Sequence, residues 1–236
     1  MKLVVTHLTR MGYPRVCVAG IELASGRYVR LVTRKEEPLT LEAVDSGLFR
    51  LGQVVELGAY RVGGRPPEVE DCHFSLGKAR AVEQLTPKEF WSILKASARE
   101  SLVEVFGDGL RPHRTTLALP VGAGKASLGD LAVEGLRLRL EMRENQPRLR
   151  ARFRVPDFLE ELSVAVTDLR FYKAYGDSGV YRLDIGKVNW VNHALRKSRV
   201  ILSVGLSRPK ALGGREPLHW LQVNGIHLES DPLWPG

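Results

Sequence analysis

The sequence predicts a mostly β protein with a few helices, arranged as two five-stranded barrels packed together. Its apolar residues fall mainly in short runs rich in β-branched side chains, which is typical of strands, and few stretches have helical periodicity. The second half also contains strands and one helix in the order β-β-β-α-β-β. With 236 residues, the chain is long enough for two small β domains.

The first half opens with strand-like runs and is assigned to an N-terminal domain over residues 1–118. The runs cover residues 2–6, 15–23, 27–33 and 53–62. Ser25 and Gly26 form a turn between the second and third runs, which is the pattern of a β-hairpin. This half fits the order of the second half less well.

A helix is predicted to follow these strands. Thr86 is a suitable N-cap, Pro87 fits the first helical position, and Glu89 completes a capping box. An apolar stripe at helical spacing then consists of Trp91, Leu94, Ala98, Leu102 and Val105. Gly107 marks its end. We therefore expect one long helix at about 87–106 that braces the two barrels.

The second half has a more regular pattern and is assigned to a C-terminal domain over residues 119–236. Its predicted strands cover residues 135–142, 147–155, 160–167, 199–206 and 219–228. A helix fits residues 185–196, between the third and fourth strands. This is the order of an OB fold, a five-stranded barrel that binds oligonucleotides. Residues 208–215 would then join strands four and five, in one of the two loops that OB folds use for binding.

Residues 136–155 are predicted to form a β-hairpin with arginine at every second position. Because side chains alternate across a strand, one face is apolar and the other carries Arg137, Arg139, Arg148, Arg150, Arg152 and Arg154. Residues 137–154 hold seven arginines and two glutamates, a net +5 out of +8 for the chain. A polyanion across this face would relieve the repulsion between its guanidiniums. The alternative is a solvated arginine-rich face, since arginine outnumbers lysine 25 to 10.

An aromatic pair next to cations lies after the third strand of the C-terminal domain. Arg170, Phe171 and Tyr172 combine charge with rings on which bases can stack, the combination that binding of single strands uses. Packing in the core is the alternative for the two rings. Trp190 and Trp220 lie in apolar runs and are predicted to be core residues.

Three further arginines lie at strand ends and are candidates for phosphate contacts. They are Arg10, Arg30 and Arg208. The alternative for each is an ion pair inside the protein, with Asp168 as a possible partner.

The sequence shows no arrangement typical of catalysis. Residues 121–127 lack the first glycine and the final Ser/Thr of a phosphate-binding loop. Cys72 and His73 are adjacent but have no second pair at the spacing of a zinc site. We therefore expect no catalytic residues, no cofactor and no metal, in a protein that is not an enzyme.

The cysteine count and the lengths of the apolar runs indicate the cellular compartment of the protein. Two cysteines make no disulfide framework, and the N-terminal apolar run is too short for a signal peptide. No segment reaches the roughly 20 apolar residues of a membrane span. We expect a cytoplasmic protein with no membrane partner.

Four runs of the sequence together match a known pattern. In residues 6–32 the pattern is carried by Thr9, Arg10, Cys17, Ala19, Gly20, Ile21, Gly26, Tyr28, Val29 and Arg30. The other runs are residues 162–171, 203–209 and 219–226. The set resembles the dual OB domain-containing protein family, although Leu31 stands where that family usually has proline. The resemblance implies two OB barrels and nucleic-acid binding, and it carries over no catalytic residue.

These observations predict a nucleic-acid-binding protein that holds single-stranded DNA or RNA with little sequence specificity. A helicase or a nuclease is a candidate protein partner. One alternative is a metal-dependent nuclease or nucleotide-processing enzyme that uses Asp157, Asp168 and Asp184. Another is a protein-interaction adaptor, because a fold does not determine a function.

Overall fold

The protein forms two curled β-sheets, as the sequence predicts. The computed structural model describes residues 1–33, 38–144, 146–175, 179–211 and 216–235. The strands of the N-terminal sheet are β1 (Lys2–Arg10), β2 (Arg15–Glu22), β3 (Tyr28–Thr33), β4 (Leu39–Thr40), β5 (Gln53–Leu57), β6 (Tyr60–Val62), β7 (Asp71–Phe74) and β8 (Ala79–Gln84). Their order is β6-β7-β3-β2-β1-β5-β8, with β4 paired to β2.

The N-terminal sheet follows the same plan as the second half more closely than its sequence indicates. Helix α1 (Leu41–Asp45) lies between β3 and β5, and β7 returns parallel to β3. If β5 and β6 are counted as one interrupted strand, and the two-residue β4 and the additional strand β8 are set aside, the order is again β-β-β-α-β-β. The sequence pattern does not reveal this because α1 has five residues, none of them buried, and therefore no apolar stripe.

The C-terminal sheet has the five predicted strands in the predicted order, preceded by three strands that the sequence analysis does not predict. Its strands are β9 (Arg111–His113), β10 (Thr116–Pro120), β11 (Leu128–Val133), β12 (Arg137–Arg143), β13 (Gln146–Val155), β14 (Phe158–Val166), β17 (Val200–Leu206) and β18 (Leu218–Leu228). The main path is β11-β17-β18-β14-β13-β12, with β14 and β18 parallel. Helix α4 (Ile185–Ala194) lies between β14 and β17.

The C-terminal sheet curls back on itself. Strands β11 and β12 lie at opposite ends of the path, yet only residues 134–136 separate them in the chain. Gly135 has φ +65°, a left-handed conformation that glycine adopts without strain, and it allows the chain to turn between the two strands. This short connection takes the chain from one end of the curled sheet to the other, in the manner of a partly open barrel.

A small β-ribbon is inserted in the C-terminal barrel between β14 and α4, where the sequence analysis places no strand. It consists of β15 (Tyr172–Tyr175) and β16 (Val180–Leu183), which pair antiparallel. We call these two strands the tyrosine ribbon, because Tyr172, Tyr175 and Tyr181 lie on them.

The prediction of one long helix at 87–106 is wrong, because the chain forms two helices there, α2 (Pro87–Ser97) and α3 (Leu102–Phe106). The predicted capping box at Thr86 is present. After α2, the backbone of Arg99 is extended and bonds to the edge of β11, donating to Asp130 over 2.9 Å and accepting from Ala132 over 2.8 Å. Ser101 then caps α3. Sheet pairing thus replaces a helical turn that the apolar spacing favours.

Each sheet encloses an apolar core, and α2 packs between them. Phe90 and Leu94 of α2 contact Val4 and Ile21 of the N-terminal sheet and Ile201 of the C-terminal sheet. The segment that contains α3, β9 and β10 packs into the C-terminal core, through Leu102, Val105, Phe106, Leu110, Leu117 and Leu119.

Polar contacts also join the two barrels. The backbone N–H of Arg10, at the end of β1, donates to the carbonyl of Thr167 over 2.9 Å. The Tyr28 hydroxyl donates to the buried carboxylate of Asp130 over 3.0 Å. The first contact, together with the bridge between Thr9 and Asp168, sets the end of β1 beside the residues that follow β14.

Candidate nucleic-acid interface

The predicted arginine pattern lies on the outer side of the C-terminal barrel. Strands β12 and β13 turn their apolar residues into the core, and Leu138, Leu149, Ala151, Phe153 and Val155 are buried there. The opposite side of the two strands faces solvent. We call it the arginine face, and it consists of Arg137, Arg139, Arg148, Arg150, Arg152 and Arg154. The turn position Asn145 lies outside the described residues.

The strand register sets like charges against each other on this face. Arg137 lies opposite Arg152, and Arg139 lies opposite Arg150. Like charges directly opposite in an antiparallel pair are destabilising. The fold therefore tolerates a local repulsion that a bound anion would remove.

Two carboxylates partly neutralise the arginine face. Glu161 pairs with Arg137, and Glu141 lies 3.6 Å from both Arg150 and Arg152. Burial lowers the pKa of Arg150 from its ordinary value, and although Glu141 opposes this, the charge of Arg152 adds to it. Six guanidiniums and two carboxylates leave the face strongly positive.

Three arginines of the face remain available to an external anion. Arg139, Arg148 and Arg154 are exposed, and none of them forms an ion pair with any described residue. Exposed guanidiniums of this kind can each bind a phosphate oxygen, in one or two hydrogen bonds.

Arg10 and Tyr172 lie in contact, although the sequence analysis predicts them separately as contacts to nucleic acid. The Arg10 guanidinium stacks over the Tyr172 ring, 4.1 Å from its centroid, and the Tyr172 hydroxyl donates to the Val166 carbonyl over 2.7 Å. Burial raises the pKa of Tyr172, while Arg10 and Arg148 oppose that rise. Strand β16, which pairs with the strand that carries Tyr172, contacts β13 of the arginine face.

Arg170 and Phe171 do not reach the surface, which corrects their assignment as ligand contacts. Arg170 is 6% exposed, bonds to both carboxylate oxygens of Asp168, and stacks on Trp234 at 3.8 Å. Phe171 is fully buried against the same tryptophan. Core packing, the alternative given for Phe171, describes that ring, and Arg170 forms an internal ion pair that the sequence analysis did not assign to it.

Arg30 and Arg208 lie in an ion cluster elsewhere on the molecule. Arg30 is 6% exposed and its Nε bonds to Asp71, which corrects its assignment to phosphate binding. Arg208 bonds to the same Asp71 and pairs with Glu68, each over 2.8 Å. Burial lowers the pKa of Arg208, but these two carboxylates outweigh that and raise it. The adjoining loop positions 212–215 lie outside the described residues.

Two tryptophans predicted for the core differ in exposure. Trp190 is 45% exposed and packs at an angle on Trp234, so the core prediction is wrong for it. Trp220 is partly buried, and its indole N–H donates to the carbonyl of Lys210 over 3.2 Å.

The three aspartates considered for a nuclease have separate structural partners. Asp157 accepts hydrogen bonds at the start of α3, Asp168 holds Arg170, and Asp184 pairs with Lys173 at the start of α4. Within the described ranges, no group of three His, Cys, Asp or Glu side chains is placed to hold a metal ion.

Sequence reasoning missed a group of residues beside the Arg10–Tyr172 pair. Tyr13, from the loop between β1 and β2, meets Tyr181 edge to face at 5.6 Å. On the same ribbon, the Arg182 guanidinium stacks over Tyr175 at 4.6 Å. The alternation of Tyr and cations in residues 172–182 was the available signal.

The comparisons with known proteins agree with the fold. No helix in the described part of the chain has the length and apolar character that crossing a membrane requires. No curated protein matches the chain. The model of a protein family described as "dual OB-containing domain" matches residues 1–226, nearly the whole chain. The protein is therefore a member of the dual OB-containing domain family, as the resemblance in its sequence indicates.

Proposed function

We propose that this protein binds single-stranded DNA or RNA on the arginine face, with little sequence specificity. The observation that carries the proposal is the concentration of six guanidiniums against two carboxylates on the solvent side of β12 and β13. Membership of an OB-containing family supports nucleic-acid binding in general terms, because OB barrels commonly bind oligonucleotides.

The chemistry of the face favours contacts to the phosphate backbone. Guanidiniums that neutralise phosphates contribute an affinity that does not depend on sequence and falls with salt. The side chains of this face are arginines with Glu141, Glu161 and Ser163 between them, so it presents no aromatic ring to a base. Weak sequence preference follows from this composition.

The experiment measures the affinity for a labelled single strand against salt concentration. The triple variant Arg139→Ser, Arg148→Ser, Arg154→Ser removes the three arginines that lack carboxylate partners. Each phosphate contact to a single strand contributes about 0.7 to the slope of log affinity against log salt, so the slope should fall by about 2. The matched control changes Arg27, Arg61 and Arg80, three exposed arginines of the N-terminal barrel, to Ser.

The two variants carry the same net charge, so the comparison separates a local site from a general charge effect. An equal loss of slope in both variants would contradict the assignment to the arginine face. An unchanged slope in the first variant would do the same.

We also propose that the protein has no catalytic activity of its own and acts by recruiting a helicase or a nuclease to the bound strand. The absence of catalytic activity is supported by Asp157, Asp168 and Asp184, because each of them is held by a structural partner. Incubation with labelled RNA and DNA and a divalent metal should yield no shorter product. A nuclease or helicase that co-purifies only while nucleic acid is intact would support the second part.

A further inference from the structure

The tyrosine ribbon is an addition to the five-stranded plan of the C-terminal barrel. It lies between β14 and α4, and β16 packs against β13 of the arginine face. The ribbon carries three tyrosines and the cations Lys173 and Arg182. Of these cations, Lys173 is neutralised by Asp184 at 2.9 Å, whereas Arg182 stacks on Tyr175, a residue that is 44% exposed.

The N-terminal barrel contributes to the same surface. The loop after β1 sets Tyr13 against Tyr181, and the Tyr181 hydroxyl donates to the carbonyl of Arg15 over 3.2 Å. Burial raises the pKa of Tyr181 to about 12, with Tyr13 adding to the rise and Arg10 opposing it. The packing of Tyr13 on Tyr181 therefore continues the ribbon onto the first barrel.

Arg10 connects the parts of this surface. Its guanidinium stacks on Tyr172, and its charge acts on both Tyr172 and Tyr181. Because β16 of the same ribbon contacts β13 of the arginine face, cations lead from the arginine face past Tyr172 to Arg10 at the end of β1. Rings and guanidiniums alternate along this line, as in proteins that track the backbone of a single strand and stack its bases.

We propose that one single strand of nucleic acid runs from the arginine face across the tyrosine ribbon to residues 10–15 of the N-terminal barrel, with unpaired bases stacked on Tyr175 and Tyr13. This inference rests on the proposed function and extends it, because the arginine face alone would offer phosphate contacts without stacking. The occupant is a single strand because a duplex keeps its bases stacked on each other.

The experiment uses the whole chain and a single strand of about 16 nucleotides, the upper site size of one OB fold. One position at a time carries 5-iodouracil, which forms a crosslink to an adjacent aromatic side chain on irradiation, and mass spectrometry locates the crosslink. We expect crosslinks at Tyr13 and Tyr175. Strands of both DNA and RNA are used.

A pair of variants measures the effect on affinity. Tyr13→Leu combined with Tyr175→Leu should weaken binding at least about 30-fold, because two bases lose a stacking contact that is worth about 1–3 kcal/mol for each base. The salt slope should stay unchanged, because no charge is altered. Tyr60→Leu is the control, since Tyr60 is equally exposed at 44% but lies on β6 of the N-terminal barrel.

The outcomes separate this inference from the proposed function. Crosslinks confined to residues 137–155, with no loss of affinity in the tyrosine variant, would overturn the inference and leave the arginine face as the site. If the protein binds a duplex as tightly as a single strand, the proposed stacking of unpaired bases on Tyr175 and Tyr13 is wrong. If no single strand binds at low salt, both proposals fail.

Discussion

Arg139 lies directly opposite Arg150 across the β12–β13 ladder, so two positive side chains share one cross-strand position. Cross-strand pairs of like charge destabilise a sheet, whereas pairs of opposite charge stabilise it. Such a pair is expected on a surface that binds a negatively charged ligand, because the ligand removes the repulsion. The same pair predicts that removal of one of the two arginines raises stability and weakens binding.

Replacing Arg139 by Gln should stabilise the fold and weaken binding. Removal of the like charge should raise the free energy of unfolding by about 0.2–1 kcal/mol, and the gain should shrink in high salt, which screens exposed charges. Urea unfolding at low and high salt checks this. The control Arg61→Gln should give no such gain, because the partner of Arg61 across the ladder is His73. A lower stability of the Arg139 variant at low salt would refute the repulsion.

The buried carboxylate of Asp130 should be important for stability. It accepts hydrogen bonds from the hydroxyls of Ser203 at 2.8 Å, Ser97 at 2.7 Å and Tyr28 at 3.0 Å. Asp130→Ala removes this acceptor from the buried Ser203 hydroxyl and from the partly buried hydroxyls of Ser97 and Tyr28, and it should cost about 3 kcal/mol. Thermal or urea unfolding measures the loss. Asp108→Ala, at an exposed position, is the control and should cost far less.

Stability should fall as the pH drops below about 6.5. Burial lowers the pKa of both His7 and His227 below the ordinary value of 6.5, although Asp130 and Asp168 oppose the shift at His7. At His227 the charges of Arg170 and His7 add to the lowering. An unfolded imidazole gains a proton near that pH while the folded one stays neutral. The unfolded state therefore binds more protons, and acid favours it.

The variant His227→Gln should reduce this pH dependence. Each buried histidine contributes at most about 1.4 kcal/mol per pH unit below its unfolded pKa. Urea midpoints measured from about pH 8 to about pH 5 give the slope. His193→Gln, at an exposed position on α4, should leave the slope unchanged. Equal slopes for the wild type and the His227 variant would contradict the assignment.

Asn192 of α4 should protect the edge of β12. Its side chain accepts from the N–H of Leu138 over 3.0 Å and donates to the carbonyl of Leu138 over 3.1 Å, in the way a neighbouring strand would. Asn192→Ala should cost about 1–3 kcal/mol and increase self-association, because an unpaired edge can pair with another chain. Unfolding and light scattering test both effects. Asn189→Ala, on the same helix but exposed, has the same change in helix propensity and should show neither.

Local pattern was a good guide where a segment buries one continuous face. Five strands of the C-terminal barrel, the helix between the third and fourth of them, and the capping box at Thr86 were predicted, since alternation and helical spacing follow from which side meets the core. Strands β9, β10 and β11 were not predicted. Pattern was a poor guide for α1, which buries nothing, and for residues 98–101, where pairing of Arg99 with β11 overrides the helical spacing.

The sequence by itself determined that six arginines share one side of a two-stranded ribbon, because alternation in a strand depends only on covalent geometry. Only the tertiary structure decided that this side faces solvent, that Glu141 and Glu161 partly neutralise it, and that Arg170, Phe171 and Arg30 are buried. It alone brought Arg10 onto Tyr172 and Tyr13 onto Tyr181. The physical reason is that such contacts join residues more than 150 positions apart, and local spacing carries no information about which distant surfaces pack together.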